Sequence, residues 1–402
     1  MTEMATAPAQ IKNFTTHAAS RPSVAKRKIL YLIDEIGGIA EGGTERQILQ
    51  LIGLSRRLGY EPQLAVLRGT EWLSQEHAGC PIYQAGVGSL FSPSTWRACL
   101  DLIRWMRREQ IEMVQTFFIE SNIIGPWLAR LADVPVVVGS RRNLNEWMGP
   151  VLRQVQRLAN RSTDYIVANS QVAVESIRDI ECVPPRKLRV AYNGIDLEQF
   201  SGLAQRRENA RQKLGIAENE ILVGNISCMR PVKGLQQFVD AAHVALQSDP
   251  SLRFLIVGNG EQWQAIQQRI RQYGIADRIH LAGAQTDVFP YLAAMDIGVL
   301  SSLAEGFSNS LLEYMAAGLP IVATEVGGNR EALEDTGILI PPDSPADLAD
   351  AILQLRSPEL RARLGQAARQ RAERFSLARA EQCMKDLYGE ILNSNRNLSK
   401  KN

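Results

Sequence analysis

Residues 305–320 read EGFSNSLLEYMAAGLP. An acid, Glu305, is followed by Gly306 and Phe307, then by three small polar residues, Ser308, Asn309 and Ser310. A second acid, Glu313, lies inside a helix-like run that stops at Gly318, Leu319 and Pro320. A helix beginning near Asn309 puts Leu311, Leu312, Met315 and Ala316 on one face. Glu313 falls away from that stripe, which predicts a position outside the core. The first amides of a helix lack partners within it, and with the positive end of the helix dipole they make an anion site. Gly306 lets a ligand approach the backbone closely. The stretch thus offers an anion cradle with a carboxylate before it and one after it. That suits a molecule with a diphosphate in the middle and hydroxyls at both ends, such as a sugar nucleotide.

Ser310 and Glu313 also fit the capping box S-x-x-E, which needs no ligand. The wider pattern favours the ligand. Glu305 and Glu313 are separated by seven residues, with Gly-Phe after the first acid and Ala-Ala-Gly-Leu-Pro after the second. This resembles the signature of family 4 of the retaining glycosyltransferases. The resemblance covers roughly residues 28–390 and is strongest over 221–345. It implies the GT-B fold, an α/β architecture of two Rossmann-like doubly wound domains facing across a cleft.

Bulk properties agree with a two-domain enzyme. A chain of 402 residues is too long for one ordinary domain. Hydrophobic content of 45% and charged content of 22% are those of a soluble globular protein. A net charge of +2 implies no general attraction to nucleic acid. The five cysteines, Cys80, Cys99, Cys182, Cys228 and Cys383, form no CxxC pair. This predicts reduced thiols and a cytoplasmic protein with neither a disulfide framework nor a zinc site. No apolar run approaches the length of a bilayer span.

Short apolar runs alternate with helical patterns, as in a parallel sheet covered on both faces. ILYLI (29–33) leads into a loop with Gly42 and Gly43 and then a helix, a βα unit. Further strands are expected at 62–67, 81–85, 112–117, 134–140 and 165–170, with a last strand and the turn after it over 188–196. The second half repeats the pattern at 221–226, 252–257, 279–283, 297–302, 320–324 and 337–340. The predicted organisation is a disordered tail over 1–27 and a first domain over 28–197. A linker at 198–215 then leads to a second domain over 216–375. A helix at 376–392 packs back on the first domain, and a polar tail occupies 393–402. The resemblance assigns the first domain to the acceptor and the second to the nucleotide sugar.

The loop Gly42-Gly43 is not GxGxxG and is readable as a tight turn, but in the resembled family it lies at the mouth of the cleft. Gly258 and Gly260 follow a strand directly, where turn chemistry explains them equally well; in the family that turn approaches the nucleotide. Gly327 and Gly328 form a second candidate phosphate-facing turn.

A transferase of this class must balance charge on the departing diphosphate, which positioned cations do where no metal is used. The segment MRPVKG (229–234) carries them. The resemblance places Lys233 at the family's phosphate-binding lysine. The family's arginine five residues earlier is Cys228 here, and Arg230 is the obvious substitute. The four histidines include no persuasive general base. Acceptor-side candidates are Glu120, Ser121 and Asn122, at a helix start, and Arg141 and Arg142, at a strand end. The resemblance implies retention, and since no covalent nucleophile is identifiable, same-face displacement is expected. Lys233, Arg230 and the amides of 307–310 would hold the diphosphate, Glu305 the sugar and Glu313 the ribose. No cofactor or metal is expected beyond the nucleotide-sugar donor.

The expected partner is a glycan or lipid-linked acceptor in cell-surface glycan or exopolysaccharide synthesis. Trp105, Arg107, Arg108 and the amphipathic stretch 146–161 support the lipid-linked acceptor, and peripheral contact with the inner face of the membrane is expected beside it. The competing readings are a GT-B nucleotide-sugar epimerase and a non-catalytic nucleotide-sugar-binding partner, the latter motivated by Cys228.

Overall fold

The computed structural model describes residues 26–37, 43–70, 73–88, 92–144 and 148–399. Of the expected tail at 1–27, only Lys26 and Arg27 fall among them, and Gly42 lies outside.

The first domain holds a seven-stranded sheet. Its strands are β1 (Lys28–Ile33), β2 (Glu61–Val66), β3 (Ile82–Gln84) and β4 (Met113–Thr116), followed by β5 (Val136–Arg141), β6 (Tyr165–Ala168) and β7 (Leu188–Val190). Their spatial order is β3-β2-β1-β4-β5-β6-β7 and every pairing is parallel. The second domain holds a six-stranded parallel sheet. Its strands are β8 (Ile221–Ile226), β9 (Leu252–Val257), β10 (Ile279–Gly283), β11 (Ile297–Leu300), β12 (Ile321–Thr324) and β13 (Ile338–Ile340). Their order is β10-β9-β8-β11-β12-β13.

Both faces of each sheet are buried, which is why the strands read as unbroken apolar runs. Along β1, Ile29, Tyr31 and Ile33 enter one core while Leu30 and Leu32 enter the core on the opposite face. Helix Gly43–Arg57 supplies Ile48 and Ile52 to the first of these.

The segment expected as a linker is mostly helical. Helix Leu203–Leu214 packs beside the second sheet, where Arg207 and Arg211 both pair with Asp296. Its polar, low-hydropathy sequence hid the helix because arginines on its buried side are satisfied by that one aspartate and by backbone carbonyls.

Helix Leu377–Ser399 returns to the first domain and adds Met384, Leu387, Tyr388, Ile391 and Leu392 to its core. It extends through most of the stretch expected to be a polar tail. Tyr388 donates to Gln115 on β4 and lies 3.2 Å from the Tyr31 hydroxyl. Where the chain leaves the first domain and where it returns, the two crossings pair. Ile195 N donates to Phe375 O, and Leu377 N donates to Ile195 O, both at 2.8 Å.

Candidate functional site

Helix Asn309–Ala317 begins beyond the C-terminal end of β11, facing the first domain. Ser308, in extended conformation, is its N-cap, and its hydroxyl accepts from Leu311 N at 3.3 Å. The capping box read from Ser310 and Glu313 does not form. Ser310 Oγ instead donates to Ile226 O at 2.6 Å and pins the helix to β8.

Glu313 corrects a second expectation. It is buried, with only 9% of its surface exposed. Helix Gly43–Arg57 of the first domain reaches it there, with Arg46 Nη1 donating to Glu313 Oε1 at 2.6 Å. Burial pushes the Glu313 carboxyl up from its ordinary range, and Arg46 opposes that shift. Sequence periodicity registers burial in one domain and not the approach of another.

Lys233 ends the turn Pro231–Lys233 after β8, and its Nζ lies 2.6 Å from Glu305 Oε1. Ser302 Oγ donates to the same oxygen at 2.7 Å. The Glu305 side chain is 8% exposed, so without a ligand the lysine is its counter-charge. Arg230 Nε donates to Cys228 Sγ at 3.3 Å. The guanidinium of Arg230 therefore reaches back to the position where the family's arginine would begin.

The first domain meets this loop directly. A Cβ on Gly306 would fall 2.1 Å from the Arg142 carbonyl, so what comes close to Gly306 is the chain of the first domain. Asn193 Nδ2 donates to Phe307 O at 3.3 Å and to Asn309 Oδ1 at 2.6 Å. Asn309 Nδ2 donates to Gly43 O at 2.9 Å. Phe307 is buried in an aromatic cluster with Tyr192 and Phe375, at centroid distances of 5.4 and 5.3 Å, so it can serve a ligand only through its backbone. Farther out, the Glu331 carboxylate accepts from Gln171 N at 2.8 Å and from the Tyr192 hydroxyl, joining the second domain to the start of helix Gln171–Ile180.

The other glycines act on backbone. Gly327, at φ 51°, leaves room for the Glu305 carbonyl, which a Cβ would approach to 1.6 Å. Gly327 and Gly328 thus pack closely against the glutamate loop. Gly258 and Gly260 pack against the carbonyls of Ser227 and Met229, beneath the loop that carries Arg230.

Two acceptor-side candidates are hydrogen-bonded inside the first domain while lining one of its cavities. Arg141 is buried, bidentate to Glu181 and bonded to Asn160 Oδ1 at 2.9 Å. Asn122 accepts from Thr116 Oγ1 at 2.7 Å and donates to Ser140 O at 2.9 Å. Glu120 is half-exposed and paired with Arg68. Successive residues at a strand end point to opposite faces, so if Arg141 turns inward its neighbour turns to the cleft. Arg142 is that neighbour, and it donates to Asn193 Oδ1. Burial pushes its guanidinium down to about 10, against the pull of Glu45. Arg46 and Asn193 are the site residues that sequence reading did not select, whereas Arg142 was expected, with Arg141, to face the acceptor. The paired arginines after β5 were the one local signal.

Trp105, cited in support of a lipid-linked acceptor, stacks on Tyr83 at 4.8 Å. Among the described residues, no helix is long and apolar enough to cross a membrane.

Two paired parallel-sheet domains with a glutamate-bracketed helix start at their junction define a GT-B architecture. Residues 42–194 match the model of the glycosyl transferase 4-like domain, and residues 219–357 that of the glycosyl transferases group 1. The chain belongs to the group 1 glycosyl transferases. It is 30% identical over 253 residues to N-acetyl-alpha-D-glucosaminyl L-malate synthase of Bacillus anthracis, covering 62% of this chain and 65% of that protein. It is 31% identical over 244 residues to D-inositol 3-phosphate glycosyltransferase of Saccharomonospora viridis, covering 57% of this chain and 56% of that one. The chain thus matches rather less than two thirds of these relatives' lengths. Its fold is similar to that of Anabaena HepE in complex with UDP-glucose, with a TM-score of 0.80, 23% identity, and coverage of 90% of this chain and 99% of that one.

Proposed function

We propose that this protein is a retaining, metal-independent glycosyltransferase that moves a sugar from a nucleotide diphosphate sugar to a hydroxyl acceptor. One observation carries this reading. The two glutamates that bracket the helix start are each held by a cation, Glu305 by Lys233 and Glu313 by Arg46, both at 2.6 Å. A donor laid along the helix start meets a carboxylate at its sugar, a carboxylate at its ribose, and amides and cations at its phosphates.

In the reaction, the bond between the anomeric carbon and the donor phosphate oxygen breaks. The acceptor oxygen bonds to that carbon on the same face, and its proton passes to the leaving phosphate. Lys233, Arg230 and the first amides of helix Asn309–Ala317 balance the charge growing on the diphosphate. The contact between Arg230 and Cys228 supports Arg230 as the second cation. Bringing the two domains together excludes water and protects the donor from hydrolysis.

The acceptor belongs to the first domain. The names of two relatives carry malate and inositol 3-phosphate, both anionic acceptors, which favours an acceptor of that kind here. Peripheral membrane contact and cell-surface glycan synthesis remain part of the proposal. They are supported by exposed Trp96, Leu100, Trp127 and Leu131 on helices Pro93–Glu109 and Ile119–Leu131, beside Arg104 and Arg107.

Thermal shift with UDP-, GDP- and ADP-sugars tests the donor assignment. One donor is expected to stabilise the wild type by a few kcal/mol at concentrations far above its Kd. Glu313→Ala is expected to abolish that shift, and Glu305→Ala to remove discrimination between sugars. Equal shifts in all three proteins contradict both roles. The non-catalytic alternative rests on Cys228 and predicts donor binding with neither transfer nor hydrolysis. Release of an epimerised sugar without acceptor favours the epimerase.

A further inference from the structure

The first turn of helix Gly43–Arg57, from the first domain, lies on the first turn of helix Asn309–Ala317, from the second. Gly43 O accepts from Asn309 Nδ2 at 2.9 Å, and a Cβ on Gly43 would fall 2.7 Å from that nitrogen. Residues three or four apart share one face of a helix. Arg46 therefore stands one turn beyond Gly43 on the same face, as Glu313 stands one turn beyond Asn309. The bond from Arg46 Nη1 to Glu313 Oε1, at 2.6 Å, repeats the first contact one turn farther on. Two contacts in register fix where the head of this arginine lies.

The neighbouring charges are engaged elsewhere. Lys233 has Glu305. Glu45, between the two contacts, acts through space on Arg142 and Arg230. Among the described residues, Arg46 is the charged group that acts on Glu313. Tyr314 beside it is buried, and its hydroxyl accepts from Ile226 N at 2.6 Å. Helix Pro358–Ala372 also packs on helix Asn309–Ala317, but its Arg369 lies against Gly318 at the other end.

The two partners are unequally hydrated. The Glu313 side chain is 12% exposed and that of Arg46 is 42% exposed. Burial drives such a carboxylate toward its protonated form, and a cation beside it opposes the change. Arg46, nearly half in water, supplies that charge at little desolvation cost of its own. It takes one carboxylate oxygen, and among the described residues none bonds the other. A protonated carboxyl has less acceptor capacity than a carboxylate, so hydroxyl donors are held best by the ionised group.

We infer that Arg46 is a positioning residue for the nucleoside, fixing the Glu313 carboxylate from the first domain as the acceptor for the donor's ribose hydroxyls. The inference rests on the proposed ribose role of Glu313 and adds a residue that the second domain does not supply. Arg46 acts on the nucleotide through Glu313.

The test is calorimetric titration of the full chain at pH 6 and pH 8. The probes are UDP-glucose, GDP-mannose and ADP-glucose, each beside its 2′,3′-dideoxyribose counterpart. Their phosphates do not titrate in this range, so a change with pH belongs to the protein. For the base that binds most tightly, the wild type is expected to prefer ribose about tenfold, the scale of a hydrogen bond to a charged group, and to keep most of that at pH 6. In Arg46→Gln the preference is expected to fall to about twofold at pH 6 and to recover at pH 8, where Glu313 ionises without help. Arg46→Lys keeps a charge at this position and is expected to restore much of the preference at pH 6. The inference is overturned if Arg46→Gln keeps the wild-type preference at pH 6, which would leave Arg46 a tie between domains. A preference lost equally at both pH values also overturns it, because a helix merely displaced would not recover when Glu313 loses its proton. If the wild type itself does not distinguish ribose from dideoxyribose, the ribose role of Glu313 fails, and Arg46 with it. Failure of the wild type to bind any probe would sink the nucleotide-sugar reading as a whole.

Discussion

Arg46 and Glu313 are joined at 2.6 Å across the domain junction, although 267 residues separate them in the chain. The buried carboxylate is raised above its ordinary pKa, chiefly by desolvation. Such a group favours the folded state fully below the ordinary carboxylate range, and that contribution is lost as pH rises through the raised value. Glu313→Gln is therefore expected to raise the Tm of the ligand-free protein more at pH 8 than at pH 5. The gain is of the order of 1 kcal/mol, roughly 2–4 °C. The same variant should lose stabilisation by nucleotide sugar. Scanning calorimetry at the two pH values decides it, and a Tm below wild type at pH 8 counts against the prediction.

Lys233 is expected to act on the transition state more than on donor binding. Lys233→Ala should lower kcat by about 10²–10³, the loss seen when one preorganised charge-stabilising group is removed, with KM changed far less. Steady-state kinetics reads both. A rise in KM at constant kcat would make Lys233 a simple binding residue.

Arg230 reaches Cys228 Sγ at 3.3 Å, so the two positions share one piece of space. Arg230→Ala should cost about 10² in kcat. Adding Cys228→Arg to that variant should restore much of the loss by supplying the charge from the family's position. Absence of rescue, together with full activity of the single variant, would remove Arg230 from the site.

Glu331 ties the second domain to the first turn of helix Gln171–Ile180, where the helix dipole favours a carboxylate. Glu331→Ala should loosen the domain junction by about 1 kcal/mol. The expected readouts are faster hydrogen exchange at Gln171 and a larger radius of gyration by small-angle scattering. Unchanged exchange at that amide would show that the contact does not hold the domains together.

Arg141 is predicted to be a matter of stability. With Glu181 left buried and unpaired, Arg141→Ala should cost about 3–5 kcal/mol, measured by urea unfolding. Replacing both residues with apolar ones of similar volume should recover most of that. A loss below about 1 kcal/mol would mean the pair is more hydrated than its burial implies.

Much of this architecture was legible in the chain. Parallel strands buried on both faces leave long apolar runs, and these marked each sheet strand within a few residues of its observed bounds. Helix Leu203–Leu214 was missed because arginines and an aspartate satisfy its buried side. At the site, Ser310 and Glu313 matched a capping box by spacing, yet both side chains are taken by partners from elsewhere, Ile226 O and Arg46.

Local pattern along the chain was enough for the two βα repeats, the pair of acids around a helix start and the lysine loop after β8. These are local patterns, fixed by side-chain periodicity and by spacing within one segment. What faces them depends on how the two domains pack. Arg46, Asn193 and Arg142 come from the other domain, and Asn193 meets Asn309 across 116 residues of chain. Which of two adjacent arginines turns toward the cleft depends on how β5 ends against its neighbours. That is set by packing, and packing leaves no mark in the spacing of residues.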